Sequence, residues 1–161
     1  MLKNFTGGSD INKYRIGIII SRFNEPVTEN LRKGAVAALE NNGVSESCIE
    51  VFYVPGAFEI PCVLKKLCRL NFDKKRFDGF ITIGCVIKGE TAHFEYISST
   101  VTASINSISA DHEMPVGFCV LTCYTPLQAY ERSGIPPDSE NNKGFEAAVS
   151  LIETISLMNK L

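Results

Sequence analysis

The sequence predicts an α/β protein in which helices cover both faces of a four-stranded parallel sheet. Two observations carry that expectation. Short apolar runs alternate along the chain with segments of helical period. The runs are apolar throughout, as in strands buried on both faces, rather than at every second residue. No repeat and no linker interrupts the 161 residues, so a single domain, 1–161, is expected.

Residues 1–13 are polar and Gly-containing and are read as an extended N-terminal arm. Residues 15–21 (RIGIIIS) form the first expected strand. Pro26 suits the first turn of a helix, with Asn24 as its cap. Val27, Leu31, Ala35, Ala38 and Leu39 recur at helical spacing, and Asn42-Gly43 ends that run. Residues 49–54 (IEVFYV) form a second strand, stopped by Pro55-Gly56, and residues 60–70 a helix. Residues 80–87 (FITIGCVI) form a third strand. Residues 93–109 are helical, with Tyr96, Ile97, Val101, Ile105 and Ile108 on one broad face. A fourth strand spans 116–122, a short helix 126–132, and a last helix 144–158. Residues 133–142 (SGIPPDSENN) form a polar loop stiffened by Pro136 and Pro137.

Composition narrows the function. Sixteen Lys and Arg against 18 Asp and Glu leave no basic excess, so no nucleic-acid partner is expected. No 18-residue apolar run and no signal-peptide h-region occurs, so no membrane association is expected. None of the six cysteines forms a C-x-x-C pair, and only two histidines could complete a metal site. The thiols are read as reduced, the location as cytoplasmic, and no metal is expected. Neither G-x-x-x-x-G-K-[ST] nor G-x-G-x-x-G occurs, so no nucleotide cofactor is expected.

In open α/β sheets, ligands bind beyond the carboxyl ends of the strands. After the first strand, Phe23 could stack on a flat ring or pack over the core's edge. After the second, Gly56 lets backbone approach a ligand. Glu59 nearby is either a ligand acceptor or a carboxylate complementing a helix dipole. The third strand end, residues 84–93 (GCVIKGETAH), carries the strongest signal. A strand runs through a Gly-containing turn into a helix, whose free N–H groups make an anion site. Thr91 adds a hydroxyl, Lys88 a positive charge, and His93 a group that can pass protons near neutral pH. Thr91 could equally be only a cap. Beyond the fourth strand, Arg132 suits bidentate phosphate binding or a solvated helix face, and Lys143 is similarly open. His112, in a polar turn, is assigned no chemical role.

These strand ends, taken in order, resemble the lumazine synthase family. The matching blocks are SRFN at 21–24, VPGAFEIP at 54–61, GCVIKGETAHFEY at 84–96, PVGF at 115–118, QAYERSG at 128–134 and NKGFEAA at 142–148. The resemblance implies a flavodoxin-like three-layer α/β/α sandwich, assembled into pentamers with active sites between subunits. Phe23 would stack on a pyrimidine. Ala57, Phe58 and Glu59 would bind a ribityl chain, and Cys85, Val86 and Ile87 would offer backbone to the pyrimidine. Gly89, Glu90 and Thr91 would hold a sugar phosphate, and His93 would transfer protons. Phe118, Arg132 and Lys143 would come from the adjacent subunit. Cys123, Tyr124 and Leu127 depart from the family's usual residues. The 135–142 loop, longer than in shell-forming members, implies a free pentamer.

The implied reaction condenses 5-amino-6-(D-ribitylamino)uracil with 3,4-dihydroxy-2-butanone 4-phosphate to 6,7-dimethyl-8-ribityllumazine, phosphate and water. It needs no cofactor. Riboflavin synthase is a candidate further partner. A lumazine- or flavin-binding carrier and a purely structural assembly protein are the alternatives, and the intact set of Phe23, Glu59, Thr91, His93 and Arg132 argues against both.

Overall fold

In the computed structural model, which describes residues 3–8 and 14–161, elements follow the alternation expected from the sequence. The strands are β1 (Ile16–Ser21), β2 (Ile49–Val54), β3 (Gly79–Ile87) and β4 (Val116–Cys123). The helices are α1 (Glu25–Asn41), α2 (Ile60–Lys74), α3 (His93–Asp111), α4 (Pro126–Glu131) and α5 (Lys143–Met158). The strands form one all-parallel sheet in the order β2-β1-β3-β4. That is the flavodoxin-like order without a fifth strand, with its switch point between β1 and β3.

Each face of the sheet has its own core. Ile16, Ile18 and Ile20 of β1 point to the side covered by α1 and α5, where Leu31, Ala35, Leu151 and Ile152 pack. Ile19 points the other way, toward Leu64, Val101 and Ile105 of α2 and α3. Every residue of β1 is buried, which explains a run with no polar alternation. The result is a three-layer α/β/α sandwich.

Helix ends follow local chemistry. Pro26, Pro61 and Pro126 each occupy the first turn of a helix, where a missing N–H costs nothing. The Thr125 hydroxyl accepts from the Gln128 N–H at 3.3 Å and caps α4. α2 runs past the expected Leu70 because nothing stops it before Lys75, which takes a left-handed conformation at φ 42°. Buried Asn71 then locks the exit, accepting from the Phe77 N–H at 2.6 Å and donating to its carbonyl at 2.9 Å.

Asn24 departs from its expected role. It precedes α1 in a left-handed conformation (φ 59°), and its side chain makes no cap hydrogen bond. The amide instead donates to the Cys85 carbonyl at 2.9 Å, tying the exit of β1 to the end of β3. Of the expected N-terminal arm, residues 1–2 and 9–13 lie outside the described residues. Within 3–8, the Gly8 N–H donates to Ser156 Oγ at 3.0 Å and Lys160 Nζ to the Thr6 carbonyl at 2.9 Å, so this segment lies along the end of α5. No described helix is long and apolar enough to cross a membrane.

Candidate active site

A cavity of about 380 Å³ opens at the carboxyl ends of the strands, beside the β1/β3 switch point. That volume suits a small heterocyclic ligand. Three strand ends build it. Beyond β1, the Arg22 and Phe23 N–H groups donate to the Val54 and Pro55 carbonyls at 2.9 and 3.1 Å, prolonging the β1–β2 ladder. The Phe23 backbone is thereby fixed while its ring stays 70% exposed on the cavity wall. Beyond β2, the 3-10 turn Ala57–Glu59 brings up Phe58, also largely exposed. Two flat apolar rings are thus left in solvent beside one cavity, so Phe23 does not pack into the core.

The end of β3 supplies the third wall, with Cys85, Val86, Ile87, Gly89, Thr91 and His93. His93 opens α3, a helix of 19 residues. No side chain caps that helix, so the Thr91 hydroxyl is not a cap. The first intrahelical bonds run from the Glu95 and Tyr96 N–H groups to the Ala92 carbonyl. The N–H groups before them point out of the helix start, where an anion is favoured. Phe94 and Ile97 complete the wall from α3.

Several charged residues lie elsewhere. Glu59 Oε2 accepts from the Gly56 N–H at 2.9 Å, so this carboxylate secures the turn after β2. A Cβ on Gly56 would sit 3.2 Å from it, which favours glycine there. Neither Glu59 nor Glu90 lines the cavity. Lys88 turns toward Glu95 at 3.5 Å and lies 5.5 Å above the Tyr124 ring, away from the cavity wall.

Phe118, Arg132 and Lys143 gather on a different surface, a groove of about 570 Å³ between β4 and α5. The cavity and the groove share no lining residue. The Arg132 guanidinium donates to the Gln128 carbonyl of its own helix at 3.1 Å, and Lys143 Nζ pairs with Glu146 at 2.6 Å.

The family model for 6,7-dimethyl-8-ribityllumazine synthase matches residues 13–159. The chain belongs to that family. It is accordingly a transferase of riboflavin biosynthesis that makes lumazine. Within a lumazine synthase fold, the thiols at the strand ends are built into the core rather than offered as nucleophiles. Burial, with Cys123 close by, pushes Cys85 up to about 12. Burial also raises Cys119 and Cys123, with Arg132 pulling Cys123 partly back. At neutral pH these thiols stay protonated and unreactive.

Sequence reasoning missed Phe94, Ile97 and the Asn24–Cys85 tie. Ile97 follows His93 by one helical turn and was assigned inward. That same spacing also puts it beneath any ligand held by His93. Nothing local marks the Asn24–Cys85 bond, which joins residues 61 apart in sequence.

Proposed function

We propose that the enzyme condenses 5-amino-6-(D-ribitylamino)uracil with 3,4-dihydroxy-2-butanone 4-phosphate to give 6,7-dimethyl-8-ribityllumazine, phosphate and water. One observation carries the reading. The switch-point cavity joins stacking rings, Phe23 and Phe58, to an uncapped helix start bearing Thr91 and His93. A flat pyrimidine and a phosphate need those two features side by side.

In this reading Phe23 stacks on the pyrimidine, and the exposed backbone of Cys85, Val86 and Ile87 pairs with its edge. The Ala57–Glu59 turn meets the ribityl chain. Gly89 and Thr91 on the cavity wall receive the sugar phosphate, with Glu90 between them offering its backbone N–H rather than its carboxylate. The pyrimidine's 5-amino group attacks the ketone and a first water leaves to form an imine. Phosphate departs by elimination to leave an enol that tautomerises to a new ketone. The ribityl-bearing amine attacks that ketone and expels a second water as the ring closes. The nucleophile belongs to the substrate, so the protein mainly orients two reactants, worth roughly 7–11 kcal/mol. His93 moves protons between the reacting atoms, adding on the order of 10²- to 10⁴-fold.

Phe118, Arg132 and Lys143 act in a neighbouring copy's cavity, because on one chain they line a separate surface. Arg132 and Lys143 then exchange their contacts to Gln128 and Glu146 for phosphate. The assembly is a free pentamer. Riboflavin synthase, which would consume the product, is a further partner in this reading. A cytoplasmic location fits six free thiols.

The test mixes purified protein with both substrates and follows lumazine absorbance against a protein-free control. Formation well above the uncatalysed rate supports the proposal. A rate equal to the control, with product binding intact, favours a carrier instead.

A further inference from the structure

The groove that holds Arg132 and Lys143 is organised around a residue that touches neither charge. Asn142 is fully buried. Its side-chain oxygen accepts from the Gly144 and Phe145 N–H groups at 2.9 and 3.2 Å, capping α5. Its amide donates to the Gly134 carbonyl at 3.1 Å and to the Asn30 carbonyl of α1 at 3.0 Å. Two bonds accepted and two donated use the side chain well, and no water is needed to satisfy it.

These bonds join three elements at one point: α1, the start of α5 and the loop leaving α4. An isolated antiparallel bridge between Ser133 and Asn142 runs through the same node. Its flanking bonds run from the Lys143 N–H to the Arg132 carbonyl at 2.8 Å and from the Gly134 N–H to the Asn141 carbonyl at 2.7 Å. The Arg132 and Lys143 backbones are thus bonded directly to each other, across a bridge that Asn142 fastens to α1.

Close packing makes room for the node. A Cβ on Gly34 would run into the Asn142 side chain, and one on Gly144 into the Leu31 carbonyl. Both glycines sit in helices, Gly34 in the middle of α1 where glycine is ordinarily less favourable than alanine. Their presence is explained by the approach of α5 and the Asn142 amide to α1.

We propose that Asn142 is a positioning residue for the anion-binding half of the site, holding Arg132 and Lys143 at the spacing that grips the sugar phosphate. The inference rests on reading those two residues as phosphate contacts. Loss of the two amide donations frees the 132–143 bridge from α1, and the paired cations lose their common frame. The phosphate substrate bears the loss, because Phe23 and the ends of β1, β2 and β3 lie on the other surface.

The experiment compares wild type, Asn142→Ser and Arg132→Ala by steady-state kinetics in each substrate. Serine keeps a hydroxyl that can cap α5 but supplies neither donation to Asn30 nor to Gly134. In Asn142→Ser the KM for the butanone phosphate should rise about tenfold, the worth of one displaced charge-assisted contact. The KM for the pyrimidine should hold, and Arg132→Ala should show the same split. If Arg132→Ala shows the split and Asn142→Ser does not, Asn142 does not position the cations and the phosphate assignment stands. If Arg132→Ala leaves the phosphate KM unchanged, the phosphate assignment falls and the positioning role falls with it. Should Asn142→Ser not fold, Asn142→Thr fills more of the vacated space, keeps a capping hydroxyl and supplies neither donation, and the same outcomes decide.

Discussion

Asn24 sits where strand β1 hands the chain to the cavity, and its replacement separates two physical contributions. Its amide bond to the Cys85 carbonyl is 2.9 Å long and half-buried, and its backbone is left-handed at φ 59°. Loss of the hydrogen bond costs about 1 kcal/mol. A residue with a Cβ and no local hydrogen bond adds about 1 kcal/mol more in the left-handed region. Asn24→Ala should therefore cost about 2 kcal/mol. Asn24→Gly loses the amide but is free of left-handed strain, and should cost about 1 kcal/mol, with relief of strain offsetting glycine's extra unfolded-state entropy. Urea unfolding at one fixed protein concentration measures both, since assembly makes stability depend on concentration. Equal losses for Ala and Gly would refute the left-handed contribution. A Gly variant within about 0.5 kcal/mol of wild type would refute the tie to Cys85.

Other outcomes follow from the same geometry. His93→Ala should keep the fold, since His93 is exposed, and lower kcat by about 10²- to 10⁴-fold; unchanged turnover removes it from the proton transfers. Burial holds Cys68 at about 11 and Cys85 at about 12, whereas unfolded thiols ionise near 8.5. The folded state therefore binds more protons above pH 8.5, and stability should fall as pH rises toward those values, by at most about 1.4 kcal/mol per pH unit for each thiol. Urea midpoints at pH 8 and pH 10 check this, and a slope unchanged by Cys68→Ala would refute the contribution of that thiol. Sedimentation should give a pentamer, and a shell-sized particle would overturn that assembly.

Much of this was written locally in the chain. The Ile-rich run at 16–20 is buried on both faces, and its β-branched residues suit a strand covered by helices on either side. Pro26 and Pro126 mark helix starts because proline's geometry is fixed whatever surrounds it. Side-chain direction was less legible. Asn24 has the right chemistry for a cap, yet its amide is taken by a carbonyl that only the folded sheet brings near. Lys88 sits in the loop expected to bind an anion, but Glu95 and the Tyr124 ring offer it partners on the other side. Asn142 belongs to a polar stretch expected at the surface, and it becomes buried because Gly34 lets α1 come close. For Asn24, Asn142 and the Tyr124 ring beside Lys88 the deciding partner is far along the chain, and local pattern carries no trace of it.

The division of the site residues between two surfaces has a consequence that kinetics of single variants cannot reach. If each cavity is completed by a neighbour's Arg132 and Lys143, then His93→Ala and Arg132→Ala damage the same site from different subunits. Each variant alone has every site spoiled. A mixed assembly is different, because a cavity from an Arg132→Ala subunit can meet the groove of a His93→Ala subunit with both residues intact. In a closed ring with head-to-tail contacts and random mixing, about one site in four is of that kind. Co-expression of the two variants should then restore about a quarter of wild-type activity, far above either alone. Simple averaging of the two inactive enzymes, with mixed assemblies shown by mass spectrometry, would place both residues in a single chain's site. The separation between cavity and groove would then have to close by movement within the chain, against the β3–β4 ladder that runs from Phe80–Val116 to Ile87–Cys123.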